Sequence, residues 1–308
     1  MNTKKVIFLF ILNVLSLLVV AQSDIRLNNY WVNTQYINPA TIYDQYKAVF
    51  NMSARKQWAG FPGAPTTFFA SGTTYFENYH TQLGLILVQD QIGYTSTTNV
   101  DLTYAYAVLF NQDWQLHLGL GGNFQSLNYN LGEVKLSENE SGVLNRLKSK
   151  STFNADIGIE VTNKTFKLGT ASQNIFSLFT SVNNQQPNTN FLYGRYREYN
   201  TDMINMGYGI CGIQYSNFYQ AEFNMTSYFK LPNRSGLEDH PDQFDLGVFY
   251  RTQSEAGLIF GFDLSESIHV SYSYDYHFGG ISLNSFGTNE LMLTYNLTRE
   301  PMCHNCWR

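Results

Sequence analysis

From Ile268 to Phe278 the chain reads IHVSYSYDYHF, with Ile268, Val270, Tyr272, Tyr274, Tyr276 and Phe278 on one parity and His269, Ser271, Ser273, Asp275 and His277 on the other. Successive side chains of a strand point to opposite faces, so this ribbon is apolar on one side and wet on the other. The pattern recurs. Trp114, Leu116, Leu118, Leu120 and Phe124 alternate with Gln115, His117, Gly119, Gly121 and Asn123, and Phe153–Val161 alternates likewise against Asn154, Asp156, Gly158 and Glu160. Segments of this kind between turn signals predict fourteen strands, near 46–56, 66–77, 82–90, 98–110, 114–126, 152–161, 165–173, 191–199, 203–216, 219–230, 243–252, 256–264, 268–278 and 288–297. A tilted transmembrane strand needs ~9–11 residues, and most of these segments have them.

Composition separates a membrane barrel from a secreted sandwich, since both alternate. Charged residues are 14% of the chain and aromatics 16%, whereas ordinary soluble domains carry about 25% charge. The wet face of a sandwich is rich in lysine, yet only ten lysines occur here and two of them lie in the first five residues. Low charge, abundant aromatics and many glycines suit an all-β, single-domain transmembrane antiparallel barrel with a lipid-facing apolar band and aromatic girdles. Asp101, Asp156, Glu160 and Asp275 fall opposite the apolar set. A charge facing lipid at mid-depth costs roughly 2–4 kcal/mol for Arg or Lys and somewhat less for Asp or Glu, so these residues are expected to face the lumen. Gly119, Gly121, Gly158, Gly207, Gly209 and Gly212 are candidate points of bending or close approach. The net charge of −5 argues against nucleic acid as a partner.

The ends divide the chain into residues 1–21, 22–297 and 298–308. Lys4 and Lys5 precede the apolar run Val6–Val20, and Val19 and Ala21 supply small residues before Gln22. This is the pattern of a cleavable secretory signal peptide, too short for a spanning helix. Residues 22–297 are the expected barrel. The tail carries Cys303 and Cys306, a C-x-x-C with only His304 beside it, so neither a zinc site nor a haem attachment is expected. Asn111–Asp113, Thr162–Lys164 and Ser265–Ser267 are short connections, and Leu127–Ser151, Asn174–Asn190 and Gly279–Gly287 are long ones. That alternation fits periplasmic turns and external loops, with Leu231–Asp242 as an exception.

Catalytic constellations are missing from the sequence: there is no G-x-S-x-G, no H-E-x-x-H and no phosphate-cradling loop. His240 lies among Glu238, Asp239, Asp242 and Asp245 without the spacing of a calcium loop. No enzyme, cofactor or metal is therefore expected. About fourteen strands leave a lumen fit for small solutes or a plug, since even 16–18-stranded porins hold only an aqueous channel. A passive porin or small-solute transporter is the alternative, and it would need a charged constriction. Leu127–Ser151, with Arg146, Lys148 and Lys150, is the candidate for one.

Arg55–Ser71, RKQWAGFPGAPTTFFAS, is a rigid connection containing Gly60, Pro62, Gly63 and Pro65. It either presents Arg55 and Trp58 to a partner or caps the first hairpin. Asn38-Pro39-Ala40 followed by Arg55-x-Gln57-Trp58-x-Gly60-x-x-Gly63-Ala64-Pro65-x-Thr67 resembles the PorP/SprF family of Bacteroidetes outer-membrane proteins. The likeness continues through Leu83-Gly84-Leu85, Tyr104-Ala105-Tyr106, Gly247–Arg251, Val270–Tyr276 and Gly287–Tyr295. It departs at Thr41-Ile42-Tyr43 and in the added tail Thr298–Arg308. The resemblance implies an outer-membrane component of the type IX secretion system, acting in export or surface attachment of secreted proteins and gliding adhesins. It implies as partners a PorE-like periplasmic peptidoglycan-binding lipoprotein, the type IX ring proteins and the C-terminal domains of cargo. Arg55, Gln57, Trp58, Gly60, Gly63 and Pro65 are the residues expected to contact such a partner.

Overall fold

The computed structural model describes residues 27–111, 113–129, 149–179, 186–200, 202–230, 243–252, 255–278 and 285–298. The signal-peptide segment, the C-x-x-C tail, the acidic loop around His240 and the Arg146–Lys148 part of the proposed constriction lie outside them. Fourteen strands close into one antiparallel barrel, each paired with its sequence neighbours and the first with the last. They are β1 Tyr46–Lys56, β2 Thr66–Phe76, β3 Thr81–Ile92, β4 Thr95–Leu109, β5 Gln115–Tyr129, β6 Lys150–Thr162, β7 Phe166–Gln173, β8 Thr189–Arg197, β9 Ile204–Tyr215, β10 Phe218–Phe229, β11 Phe244–Arg251, β12 Glu255–Ser265, β13 Ile268–His277 and β14 Thr288–Thr298. Every expected strand is present, with ends moved by three residues at most. Closure leaves no unpaired edge, the condition for a sheet to sit in hydrocarbon.

The alternation sets which side each residue faces. In β13, Tyr272 and Tyr276 point outward while Ser271, Ser273 and Asp275 are buried. Across the wall, Met52, Phe68, Leu102, Leu120, Phe153, Leu192 and Leu258 make an apolar outer surface. Asp156, Glu160 and Asp275 are buried on the inside, as expected.

Loop lengths follow the expected rule only in part. The wide connections at 57–65, 130–149, 174–188 and 278–287 follow odd-numbered strands at one end, here the loop end, while the equally long one at 230–243 follows β10 at the other, as the sequence exception implied. The connections at 93–94, 216–217 and 252–254 lie at the loop end and are tight. Positive φ at Gly93 (56°) and Ser216 (54°) lets two of them turn within two residues. The other end, where β1 begins and β14 stops, is here the terminal end.

Residues 27–45 are not part of the wall. They cross the lumen, and Leu27, Asn28, Asn29, Tyr30, Asn33, Gln35, Asn38, Ala40 and Thr41 are each 3% exposed or less. The apolar core of the molecule is therefore inside the barrel. Tyr30, Trp31 and Ile37 pack on Phe191, Tyr193, Cys211 and Ile213, Leu27 on Phe69, Ile86 and Val88, and Ile42 on Ala105 and Ala107.

Candidate functional site

The plug has little regular structure, only a 3-10 turn at Thr34–Tyr36, so its backbone groups need partners from the wall. At the loop end the partner is Glu290, the third residue of β14. It accepts from the backbone N–H of Asn28 (2.6 Å) and of Asn29 (3.1 Å), and from the Asn29 side chain (3.1 Å). Asn28 Nδ2 donates to Ser273 Oγ (3.1 Å) and Asp275 Oδ2 (2.7 Å). Arg251, the last residue of β11, donates to Asn28 Oδ1 (3.0 Å), to Glu255 (3.2 Å) and to Glu222. Glu222 in turn accepts from the indole N–H of Trp31 (2.7 Å).

Midway, Asn33 donates to Ser71 (3.1 Å) and Gln35 to Thr103 (2.7 Å). Asn38-Pro39-Ala40 then makes a turn in which Asn38 Oδ1 accepts from the N–H of Ala40 (2.9 Å). Asn38 Nδ2 donates outward to the Tyr193 hydroxyl (3.0 Å) and the Ile159 carbonyl (3.2 Å). The turn sits against two wall glycines. A Cβ at Gly158 would overlap Asn38 Oδ1, and one at Gly119 would overlap the backbone of Ala40. Here the glycines give room for a second chain to approach the sheet.

Glu160, wholly buried, collects Tyr193 O–H (2.5 Å), Thr41 Oγ1 (3.1 Å), His117 Nδ1 (3.2 Å) and Lys167 Nζ (3.3 Å). At the terminal end the Tyr43 N–H donates to Gln82 (2.9 Å), Gln82 donates to the Thr41 carbonyl (2.8 Å), and Gln115 donates to Asp44 (2.9 Å). Gln115 and Gln82 are the first and second residues of β5 and β3. The segment therefore runs from the loop end at Asn28 to the terminal end at Asp44, then turns into β1.

The residues expected to meet a partner separate into two groups. Arg55 and Gln57 are buried. Arg55 donates to Gln57 Oε1 (3.0 Å) and lies 3.8 Å from Glu290, so it faces the carboxylate that holds Asn28 and Asn29. Pro65 is buried behind the loop, and its carbonyl accepts from the Gln57 N–H (2.9 Å). Trp58, Gly60 and Gly63 form the rim. Trp58 holds φ +50°, Gly60 +89° and Gly63 +72°. Ala59 exchanges backbone bonds with Gly287 and Phe286 (2.8 and 2.7 Å), and the Gly63 carbonyl accepts from the Gly93 N–H (3.2 Å). One connection thus ties three together at the loop end.

His269 and Asp275, six residues apart on one face of β13, do not pair, since Asp275 accepts from Asn28 at the loop end. His269 instead lies between Asp263 (2.6 Å) and Asp245 (3.6 Å). Among the described residues no group of His, Cys, Asp and Glu is arranged to hold a metal.

On the side away from the Asn38 turn the plug leaves a cavity of about 810 Å³, open at the terminal end between the plug and strands β8–β14 and β1. Sequence reasoning missed the plug network and this vestibule. Glu222, Arg251 and Glu290 carried a readable signal, being charges on strands opposite the apolar set.

A family model described as type IX secretion system membrane protein PorP/SprF matches residues 19–295. No curated protein matches the sequence. Among solved structures, the toluene transporter TbuX of Ralstonia pickettii is 9% identical, with 87% of this chain and 93% of that chain covered and a TM-score of 0.50. The outer membrane protein Omp33 of Acinetobacter baumannii is 8% identical over 82% of this chain and 98% of that one, with a TM-score of 0.48. At such identities the likeness concerns the barrel fold alone. Fold and family model agree on an outer-membrane location, and the chain belongs to the PorP/SprF family of type IX secretion system membrane proteins.

Proposed function

We propose that this chain is a non-enzymatic anchor or adaptor of type IX secretion, acting in export or surface attachment of secreted proteins, gliding adhesins among them. The observation that carries this reading is the segment 27–45, which crosses the lumen from the loop end to the terminal end and is hydrogen-bonded to the wall along its length. A passive porin needs a continuous water path, which such a segment blocks. Contacts with other secretion components then fall to the rims: a PorE-like periplasmic lipoprotein, the ring proteins and cargo C-terminal domains. The Trp58–Gly63 rim is the proposed contact surface, with Arg55, Gln57 and Pro65 shaping it from behind. Purified full-length protein in a planar bilayer is expected to give no steady current. A robust open-pore conductance would overturn the anchor reading in favour of the porin.

A further inference from the structure

We propose that the vestibule at the terminal end is a binding socket for a short, extended peptide segment bearing carboxylates. Its volume of about 810 Å³ is within the roughly 300–1,000 Å³ of built ligand sites. Two adjoining stretches of wall line it. One carries Arg195 and Arg197 on β8 and Lys230 after β10, and the next carries Asp245, Asp263 and His269 on β11–β13.

These walls are not equally compensated. The acidic wall holds its own counter-group, since His269 lies between Asp263 (2.6 Å) and Asp245 (3.6 Å). On the basic wall, Arg195 and Lys230 have no such group. Arg195 donates to the Trp31 carbonyl (2.9 Å) and the Tyr228 hydroxyl (2.9 Å), and Lys230 donates to the Asn200 carbonyl (2.9 Å). Neither cation has a carboxylate within ion-pair distance among the described residues. A guanidinium fixed by two neutral acceptors and left without an anion, in a concave site, is poised to take a carboxylate.

The remaining lining favours a peptide over a free solute. Gln45, Gln243 and Asn296 offer amide donors and acceptors to a backbone, and Trp31 and Tyr228 line the cavity with rings, the second beneath the Arg197 guanidinium (3.7 Å to the centroid). Beyond the cavity Asn28 and Asn29 bind the plug to Glu290 and Ser273, and a free solute crossing the barrel would need an exit past them. A segment of a larger molecule needs none.

Isothermal titration of the detergent-solubilised full chain at low salt tests this. The probes are an end-capped diacidic tetrapeptide containing one tyrosine, its Asn/Gln analogue, and acetate. The diacidic peptide is expected to bind, and the neutral analogue at least about ten-fold more weakly, the scale of one charged contact. Arg195→Gln and Lys230→Gln should each weaken the diacidic peptide several-fold. Lys230 makes no plug contact, so that variant separates loss of binding from disturbance of the Trp31 backbone. Equal binding of the two peptides, unchanged binding in both variants, or no binding at millimolar peptide would each overturn the proposal. Acetate displacing the peptide at equal concentration would reduce the socket to a small-anion site and overturn the peptide assignment. None of these outcomes depends on whether the protein acts in secretion.

Discussion

At the scale of single residues, buried charge holds the plug. Glu290 accepts three hydrogen bonds from Asn28 and Asn29 and faces Arg55. Glu290→Ala strands all of these donors together with a buried guanidinium, a loss of about 3–5 kcal/mol by the usual cost of breaking a buried pair. Heat-modifiable migration in detergent should show the folded band lost at clearly lower temperature. Arg55→Ala acts on the same carboxylate and should move the transition the same way. Trp58→Ala lies outside that network and should leave the transition within the ±0.5 kcal/mol or so typical of surface changes, while reducing cargo display if the rim contacts a partner. Equal thermal effects of Arg55→Ala and Trp58→Ala would refute the division of this loop into a buried brace and an outer face. Gly158→Val belongs to the same scale, since its side chain would occupy the space of Asn38 Oδ1. The expected result is protease cleavage within residues 27–45 of otherwise intact barrels.

At the scale of elements, strands and plug differ in how far the sequence reveals them. A strand in a membrane wall must alternate, because one parity meets lipid and the other meets the lumen. That period-two constraint made β5, β6 and β13 visible from Trp114–Phe124, Phe153–Val161 and Ile268–Phe278 alone, and placed Glu160 and Asp275 inside. The plug obeys no such period. Its residues contact wall on every side, so Asn28, Trp31, Gln35 and Asn38 each follow a local partner, and only the Asn38-Pro39-Ala40 likeness to the family hinted at it. The loop-length rule failed at 93–94 and 216–217 because Gly93 and Ser216 can hold positive φ in two-residue hairpins. The Arg55–Pro65 run was legible as rigid, and Arg55 shares the inward parity of Asn51 and Ser53 in β1, but Gln57 lies past the strand, where contact and not period sets direction. Removing residues 27–42 while retaining the signal segment and the barrel tests the plug as an element. Such a variant should still insert and should pass stepwise current in planar bilayers, while the full chain stays silent. A silent deletion variant that is folded by circular dichroism would mean that the wall side chains alone close the lumen.

At the scale of the molecule, the apolar core lies inside the barrel and a second apolar surface lies outside it, and only a lipid solvent accounts for the outer one. Leu102, at the middle of β4, and Leu297, one residue from the end of β14, both lie on the outward parity of their strands and are exposed (64% and 38%). Water would treat two exposed leucines alike, and Leu→Arg at either would change stability by about 0.5 kcal/mol or less. A bilayer would not, because the penalty depends on depth: roughly 2–4 kcal/mol for Arg at the midplane and about 0–1 near the interface. Leu102→Arg should therefore destabilise the protein folded in lipid vesicles by several times as much as Leu297→Arg, read from denaturant titration of each variant. The same pair compared in detergent micelles, which adapt around a buried charge, should differ less. Equal costs in vesicles would mean that the middle of β4 does not face hydrocarbon, and the membrane-spanning orientation of the whole barrel would fall with it.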